Sequence, residues 1–294
     1  MTNNSAFPEI ERVEIDMPAL EAARAETAFL SASFDLLREA TGYITIAANT
    51  LKGGPTLTRN NAVINGNLVR LWKLLCEMLG QTAEHHRETS SILARLVFET
   101  IVNTKYMIKY FSQETIESYI RHSLRHEREL RDVVEKNVAA RNGIAKPIED
   151  RILRSIEKAE RYAGISLDSI DVAKRRPAWG GISLYKKAEQ VGLDTAYLAA
   201  FGGMSHNVHG SWQDLYEYHL EPQGDGTFRP YLEWHRPRPQ VLNATTKLVI
   251  NVLCAYFEHL EEESIEEFFR PKLDDLWTRV ELVDGAHENW LAKE

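Results

Sequence analysis

Apolar residues recur at helical spacing along most of the chain, and this pattern predicts an all-α protein. In the segment from about 83 to 111, apolar side chains return every three or four residues; they are Ile92, Leu93, Leu96, Val97, Ile101, Met107 and Ile108. Glycine-rich or proline-containing breaks separate such segments from one another. Because the breaks are short, neighbouring helices should pack antiparallel in one multi-helix bundle of about eight helices.

Capping residues, prolines and glycines indicate where the other helices begin and end. Helices are expected over residues 18–50, 58–79, 112–143, 147–162, 184–191, 205–219 and 240–260, and the acidic stretch that follows should form one or two short amphipathic helices. The turn Gly224-Asp225-Gly226 joins two short runs and predicts a small β-hairpin near 220–234.

The domain organisation follows from these elements. No internal repeat or low-complexity tract divides the chain. We predict a disordered or loosely packed arm over residues 1–17 and a single helical domain over residues 18–294, with the C-terminal acidic helices of residues 264–294 packed on it. The strongly apolar face of residues 240–260 is either part of the core or the interface of a homodimer.

Composition and charge bear on where the protein resides and on which kinds of partner it can bind. The start of the chain has no signal-peptide pattern, and the apolar run Val249–Phe257 is far shorter than the roughly 20 residues that a membrane span requires. These features predict a cytoplasmic protein without a membrane partner. The net charge of −8 argues against a surface that is basic all over. Residues 105–187 are nevertheless rich in Arg and Lys, either as a local basic face or as a mixed-sign surface with i,i+4 ion pairs.

Arg95 and Glu99 form the first candidate site. They are four residues apart and share one helix face, which extends backward to Glu88 and forward to Tyr106. A buried Arg and Glu must be paired, because an isolated buried charge is very costly. The pair is therefore either an internal ion pair that fixes helix register or part of a functional cleft.

The segment Ser205-His206-Asn207-Val208-His209 is the second candidate, because glycines on both sides allow a close approach of the backbone. His206 and His209 could share a helix face, but no carboxylate or cysteine stands at metal-ligand spacing nearby, so a metal site is not favoured. His209 is either a proton-transfer group or a helix-packing histidine.

Arg121 and His126 form the third candidate, with four residues between them. This spacing matches the R-x4-6-H pattern of helical nucleases, in which Arg holds a phosphate and His assists attack by a ribose 2′-hydroxyl. The same spacing is common in charged, solvent-exposed helices, and the surrounding run is polar throughout. The exposed-helix interpretation is the preferred one.

Several other chemistries have no motif to support them. The two cysteines, Cys76 and Cys254, cannot build a disulfide framework or a zinc motif. The chain also lacks the phosphate-binding glycine loops, the hydrolase nucleophile elbow and the H-E-x-x-H motif of zinc peptidases. We therefore expect neither a cofactor nor a metal.

Two segments resemble the bacterial family of unknown function DUF5677: SILARLVFETIVNTKYMIKYF at residues 91–111 and YLAAFGGMSHNVHGSW at residues 197–212. Members of that family have an Arg-x-x-x-Glu helix followed, about a hundred residues later, by a Ser-x-x-x-His-Gly helix start. On this resemblance the family positions are Arg95, Glu99, Tyr106, Ser205 and His209.

That family is distantly similar to the HEPN helical domains, which include metal-independent ribonucleases and RNA-binding modules. The likeness implies RNA as a partner. This sequence departs from the HEPN pattern, because Ser205 stands where the nuclease Arg or Asn would precede His209. A phosphate-holding cation would then have to come from elsewhere, and Arg95 is the candidate.

Our hypothesis from the sequence is that helix 83–111 packs against helix 205–219. Arg95, Glu99 and His209 would then meet in one polar pocket, with Arg95 on the phosphate and His209 as general acid or base. The residues expected to contribute to binding are Tyr106, Ser205, His206 and Asn207. The alternative is a non-catalytic helical scaffold or regulator in which the same side chains form a buried polar network.

Overall fold

The computed structural model describes residues 7–172, 178–198 and 210–293. Within these ranges the chain forms nine α-helices of five or more residues: α1 Met17–Glu21, α2 Thr27–Asn49, α3 Arg59–Ala83, α4 Arg87–Lys109, α5 Gln113–Ala139, α6 Pro147–Ala163, α7 Leu184–Gln190, α8 Pro239–Leu260 and α9 Glu263–Leu291. Single helical turns occur at Leu167–Ser169, Trp179–Gly181, Asp194–Ala196, Trp212–Asp214 and Leu215–His219. The all-α prediction is confirmed.

The predicted hairpin is also present. Strands β1, Leu220–Pro222, and β2, Phe228–Pro230, pair antiparallel, and Glu221 lies opposite Arg229. The turn that joins them contains Gly224 and Gly226, both with positive φ. These two strands are the only sheet in the described part of the chain.

Local signals explain several helix ends. At the start of α5 the hydroxyl of Ser112 accepts a hydrogen bond from the backbone N–H of Thr115, which satisfies one of the unpaired donors of the first turn. Pro147 is the first residue of α6, where its missing N–H costs nothing. Gly164 ends α6 in a left-handed conformation with φ of 63°.

Helix α8 lies at the centre of the main core, where it packs against α2, α4 and α9. Leu242, Val249, Val252 and Leu253 on this helix are completely buried. The strongly apolar face of residues 240–260 is thus core within one chain.

The acidic C-terminal stretch, for which the sequence predicts one or two short helices, is a single helix of 29 residues. Pro271 lies inside α9, although proline removes a backbone hydrogen bond there. The helix continues through it because a stripe of apolar side chains packs on α2 and α8; these are Phe269, Leu273, Leu276, Val280 and Val283. Tertiary packing outweighs the local helix-breaking signal.

A buried ion pair joins α9 to α2. Nη1 and Nη2 of Arg279 lie 2.6 Å and 2.7 Å from the two carboxylate oxygens of Glu39. Both partners also bind the backbone of Val13: Glu39 accepts its N–H and Arg279 donates to its carbonyl, each at 2.9 Å. Part of the N-terminal arm is therefore fixed to the two helices through one polar cluster.

Helices α5 and α6 form a second, smaller layer. Their own apolar cluster consists of Leu124, Ile156, Ala163, Ile165 and Leu167. Helix α5 also contacts the turns Leu167–Ser169 and Trp179–Gly181. This layer creates one wall of the cleft described below.

No helix in the described ranges is both long enough and apolar enough to cross a membrane. The division into an arm of residues 1–17 and one domain of residues 18–294 stays a prediction.

Candidate functional site

Helix α4 presents a polar stripe on one face of the bundle. Arg95 and Glu99 are separated by one helical turn, and Tyr106 follows seven residues later on the same side. All three side chains are partly exposed, whereas Val97, Phe98 and Ile101 of the same helix are completely buried in the core. We call the surroundings of Arg95 and Glu99 the α4 pocket.

Lys187 of α7 lies beside this stripe, and it was not among the candidates from the sequence. The residue is 1% exposed, although lysine is rarely buried. Its ammonium lies 3.5 Å from the ring centroid of Trp179 and 5.8 Å from that of Tyr106. These rings attract the ammonium through cation–π interactions.

The burial of Lys187 has an electrostatic consequence. Removal from water disfavours the charged amine and lowers its pKa to about 8, while the nearby carboxylate of Glu99 acts in the opposite direction. Glu99 and Lys187 are therefore close enough to interact across α4 and α7. Lys187 adds a second positive charge to the α4 pocket beside that of Arg95.

A signal for Lys187 does exist in the sequence. In the predicted helix 184–191, Lys187 lies three residues after Leu184 and directly before Ala188, so it occupies the apolar face. A lysine in that place must either extend out to water or find a partner inside. Its partner, Trp179, could not be identified without the fold.

The turn that carries Trp179 depends on glycine. Gly180 has a φ of 72°, which side chains other than glycine rarely adopt. Its N–H donates a hydrogen bond of 2.9 Å to the hydroxyl of Ser118 on α5. The turn is thus fixed against α5 while Trp179 points towards Lys187.

Tyr197 reaches the same stripe from the following segment. Its ring contacts Phe98 at 6.2 Å and Tyr185 at 5.1 Å between centroids. Burial raises the pKa of its hydroxyl, and the charges of Arg95 and Glu99 shift that pKa in opposite directions. Tyr197 is therefore within electrostatic reach of both charged residues.

The remaining predicted site residues are Ser205, His206, Asn207 and His209, and they lie outside the described residues. The convergence of Arg95, Glu99 and His209 stays a prediction. The described residues bring together Arg95, Glu99, Lys187 and Tyr197.

A cleft of about 720 Å³ lies on the other side of Trp179. Helix α5 lines one wall, and residues 169–171 and 178–181 line the other. We call it the α5 cleft. Its polar lining includes side chains of both signs and a histidine: Arg121, Arg125, Glu114, Glu117, Asp171 and His122.

His126, the second half of the Arg121 and His126 pattern, is exposed and does not line this cleft. Two residues five positions apart on an α-helix point in directions that differ by roughly 140°. His122 shares the cleft-facing side of α5 with Arg125 instead. The pattern therefore does not place an Arg and a His together in the cleft.

The arginines of α5 form part of a mixed-sign surface with i,i+4 ion pairs, which is one of the two interpretations of residues 105–187. Arg121 is paired with Glu117, Arg125 with Glu129 and Arg128 with Asp132, each at a spacing of four residues. Two of these arginines also donate hydrogen bonds to the facing loop: Arg121 to the hydroxyl of Ser169 and Arg125 to the carbonyl of Val172. Most of the positive charge on α5 is thus balanced locally.

A further polar cluster lies at the N-terminal end of α4. Glu88 is buried, with an oxygen 3.5 Å from Nδ1 of His235. Asp214 is also buried, 3.4 Å from His219, and desolvation raises the pKa of its carboxyl. No group of three or more His, Cys, Asp or Glu side chains in the described ranges is arranged to hold a metal ion.

Comparisons with known proteins agree with the resemblance in the sequence. A model described as "Family of unknown function (DUF5677)" matches residues 61–227, more than half of the 294 residues. The matched range includes nearly all of α3, all of α4 to α7 and the hairpin strand β1, and therefore both the α4 pocket and the α5 cleft. No curated protein and no solved structure matches the chain.

Proposed function

We propose that this chain, which belongs to the DUF5677 family of unknown function, binds single-stranded RNA in the α4 pocket and cleaves it without a metal ion. The observation that supports the proposal is the grouping of Arg95, Glu99 and Lys187. Arg95 and Lys187 carry two positive charges and Glu99 carries one negative charge, so the net charge of this partly buried group is positive. Such a place favours a phosphate, because fewer water molecules screen the attraction.

Arg95 is the group assigned to the phosphate. A guanidinium can donate two parallel hydrogen bonds to the oxygens of one phosphate, and it keeps its charge at any physiological pH. Lys187 is buried, so we assign it a positioning role: its ammonium attracts the carboxylate of Glu99. Tyr106, partly exposed on the same face of α4, offers a ring on which a base can stack.

The proposed reaction uses the 2′-hydroxyl of the RNA as nucleophile. His209 takes the proton of that hydroxyl, and the 2′-oxygen forms a bond to phosphorus. The bond between phosphorus and the 5′-oxygen breaks, and that oxygen leaves with a proton from water. The products are a 2′,3′-cyclic phosphate and a 5′-hydroxyl end. Ser205, His206 and Asn207 are proposed to bind the nucleotides next to the cleaved bond.

The test combines binding and cleavage of a fluorescently labelled single-stranded RNA by the purified protein in the presence of EDTA. Arg95→Gln should weaken binding by about tenfold or more, because a charge-assisted contact to the phosphate is lost. Glu99→Gln and His209→Ala should reduce cleavage while RNA remains bound. Arg38→Gln removes one exposed positive charge from α2 and serves as the matched control, which should change neither property.

Three outcomes would contradict the proposal. A wild-type protein that does not bind RNA would overturn it completely. Unchanged binding by Arg95→Gln would remove the α4 pocket as the site. Unchanged cleavage by His209→Ala would remove the catalytic assignment of that histidine.

The second candidate function is a non-catalytic helical scaffold in which the α4 pocket is architectural. The almost complete burial of Lys187 favours it, since that ammonium cannot touch a ligand from its present position. Thermal unfolding of Arg95→Gln and Glu99→Gln separates the two functions. A scaffold predicts a clear loss of stability without RNA binding, whereas the proposed site predicts a loss of binding with stability nearly unchanged.

A further inference from the structure

The α5 cleft has the size and lining of a small-molecule site. Its volume of about 720 Å³ falls within the range of roughly 300–1,000 Å³ that is usual for such sites. Ile170, Ala178 and Trp179 contribute apolar surface, and His122 and Arg125 contribute polar groups on the facing helix. A ligand that fits this lining has a flat apolar part and a charged part.

The cleft is lined by charges of both signs, and their places on α5 differ. Glu114 and Glu117 precede His122 by eight and five residues, and Glu117 is paired with Arg121. Arg125 follows His122 by three residues on the cleft-facing side, and its carboxylate partner Glu129 does not line the cleft. Lys187 and Arg125 also lower the pKa of the His122 imidazole, as burial does. The end of the cleft at His122 and Arg125 is therefore the place where an anion meets the least negative charge from α5.

Hydrogen-bond donors are available at this end. Arg125 uses Nε for Glu129 and Nη2 for the carbonyl of Val172, and its Nη1 donates to no other group of the described residues. The hydroxyl of Ser118 accepts the N–H of Gly180 and can give its own hydrogen to a ligand. A phosphate can use several such donors at once, since each of its oxygens accepts more than one hydrogen bond.

We infer that the α5 cleft binds the phosphate ester of a nucleotide, with the phosphate at His122 and Arg125 and the base against Ile170 and Trp179. The nucleotide is either free or part of an RNA chain. This inference does not rest on the proposed function, because neither Arg95 nor Glu99 lines the α5 cleft.

Isothermal titration calorimetry with adenosine 5′-monophosphate tests the inference, with adenosine and inorganic phosphate as partial ligands and a short single-stranded RNA as the polymeric source. Adenosine monophosphate or the RNA should bind, and adenosine alone should bind much more weakly. Arg125→Gln should weaken binding by about tenfold or more. Arg154→Gln is the matched control, because Arg154 is exposed on α6 and does not line the cleft.

A second readout is the pKa of His122, followed by proton NMR. A phosphate beside the imidazole favours its protonated form, so the pKa should rise when the nucleotide binds. His122→Gln should weaken binding and remove the signal. Circular dichroism melting curves of all variants check that they fold.

The outcomes distinguish a free nucleotide from RNA as the ligand, and the α5 cleft from the α4 pocket as the site. Binding of the monophosphate assigns the cleft to free nucleotides, and binding of the RNA alone assigns it to the polymer. Arg95→Gln should keep its affinity for the monophosphate even if it loses RNA cleavage, so failure of the proposed function would remain distinct. Equal affinities of Arg125→Gln and Arg154→Gln, equal affinities for adenosine and its monophosphate, or no binding of either phosphate ester would each overturn the inference.

Discussion

Arg279 and Glu39 form a bidentate ion pair between α9 and α2, and their side chains are only 5% and 1% exposed. Removing one partner of a buried pair leaves the other charge without compensation. We expect Arg279→Ala, which leaves the buried carboxylate of Glu39 without a cation, to lower the free energy of unfolding by about 3–5 kcal/mol, measured by urea denaturation. Arg38→Ala, which removes the neighbouring exposed pair with Asp35, should cost less than about 1 kcal/mol. Similar losses in the two variants would contradict this expectation.

Lys187→Met should stabilise the protein at neutral pH. The pKa of Lys187 is lowered from 10.5 to about 8, so between these values the unfolded chain binds more protons than the folded one. Wild-type stability should therefore rise with pH across that interval, and the penalty of the buried charge should be constant below it. Methionine removes this penalty, and after loss of the cation–π contact we expect a gain of about 1–3 kcal/mol at pH 7.

The neighbouring residue gives the control for that experiment. Lys186 is exposed and paired with Glu189, so Lys186→Met should leave the rise in stability between pH 8 and 10.5 in place. Urea denaturation at several pH values measures both variants. If Lys187→Met keeps the same pH dependence as the wild type, the assignment of the titration to Lys187 is wrong.

Phe269 should be among the most sensitive positions in the core. Its ring stacks on Phe257 with centroids 4.4 Å apart, and it is 1% exposed. Phe269→Ala should lower the free energy of unfolding by about 3–5 kcal/mol through lost burial and the cavity left behind. Phe268→Ala, at the adjacent exposed position, should have a much smaller effect in the same denaturation experiment. Comparable effects would mean that the register of α9 is wrong.

His126→Ala should change neither RNA binding nor RNA cleavage. The imidazole is exposed on α5, and it lies outside the lining of the α5 cleft. Electrophoretic mobility shifts and the cleavage assay can be compared directly with His209→Ala. Loss of cleavage in His126→Ala would restore the nuclease interpretation of the spacing between Arg121 and His126.

Local sequence signals were sufficient to predict many of the helix boundaries. The segment predicted as helix from about 83 to 111 is α4 from Arg87 to Lys109, and the helix predicted to begin at Pro147 does so. These boundaries depend on caps, prolines and apolar spacing within a few residues. The continuity of α9 across Pro271 depends on packing against distant helices, and no local rule predicts it.

The candidate site was predictable only in part. Arg95 and Glu99 share a helix face by spacing alone, and the structure places both on the partly exposed side of α4. Lys187 joins them because α7 packs on α4, and Trp179 covers it because the turn at Gly180 is fixed to α5. Contacts of this kind join residues far apart in sequence, so composition and periodicity do not reveal them.

The central position of α8 has a consequence for local opening of the protein. Because α8 is enclosed by α2, α4 and α9, its backbone amides can reach solvent only when the whole core separates. Helix α6 packs mainly on α5, outside the main core, so we expect it to open without global unfolding. Amide hydrogen exchange should therefore be slowest in α8, at a rate set by global unfolding, and the wall of the α5 cleft should belong to a less protected unit.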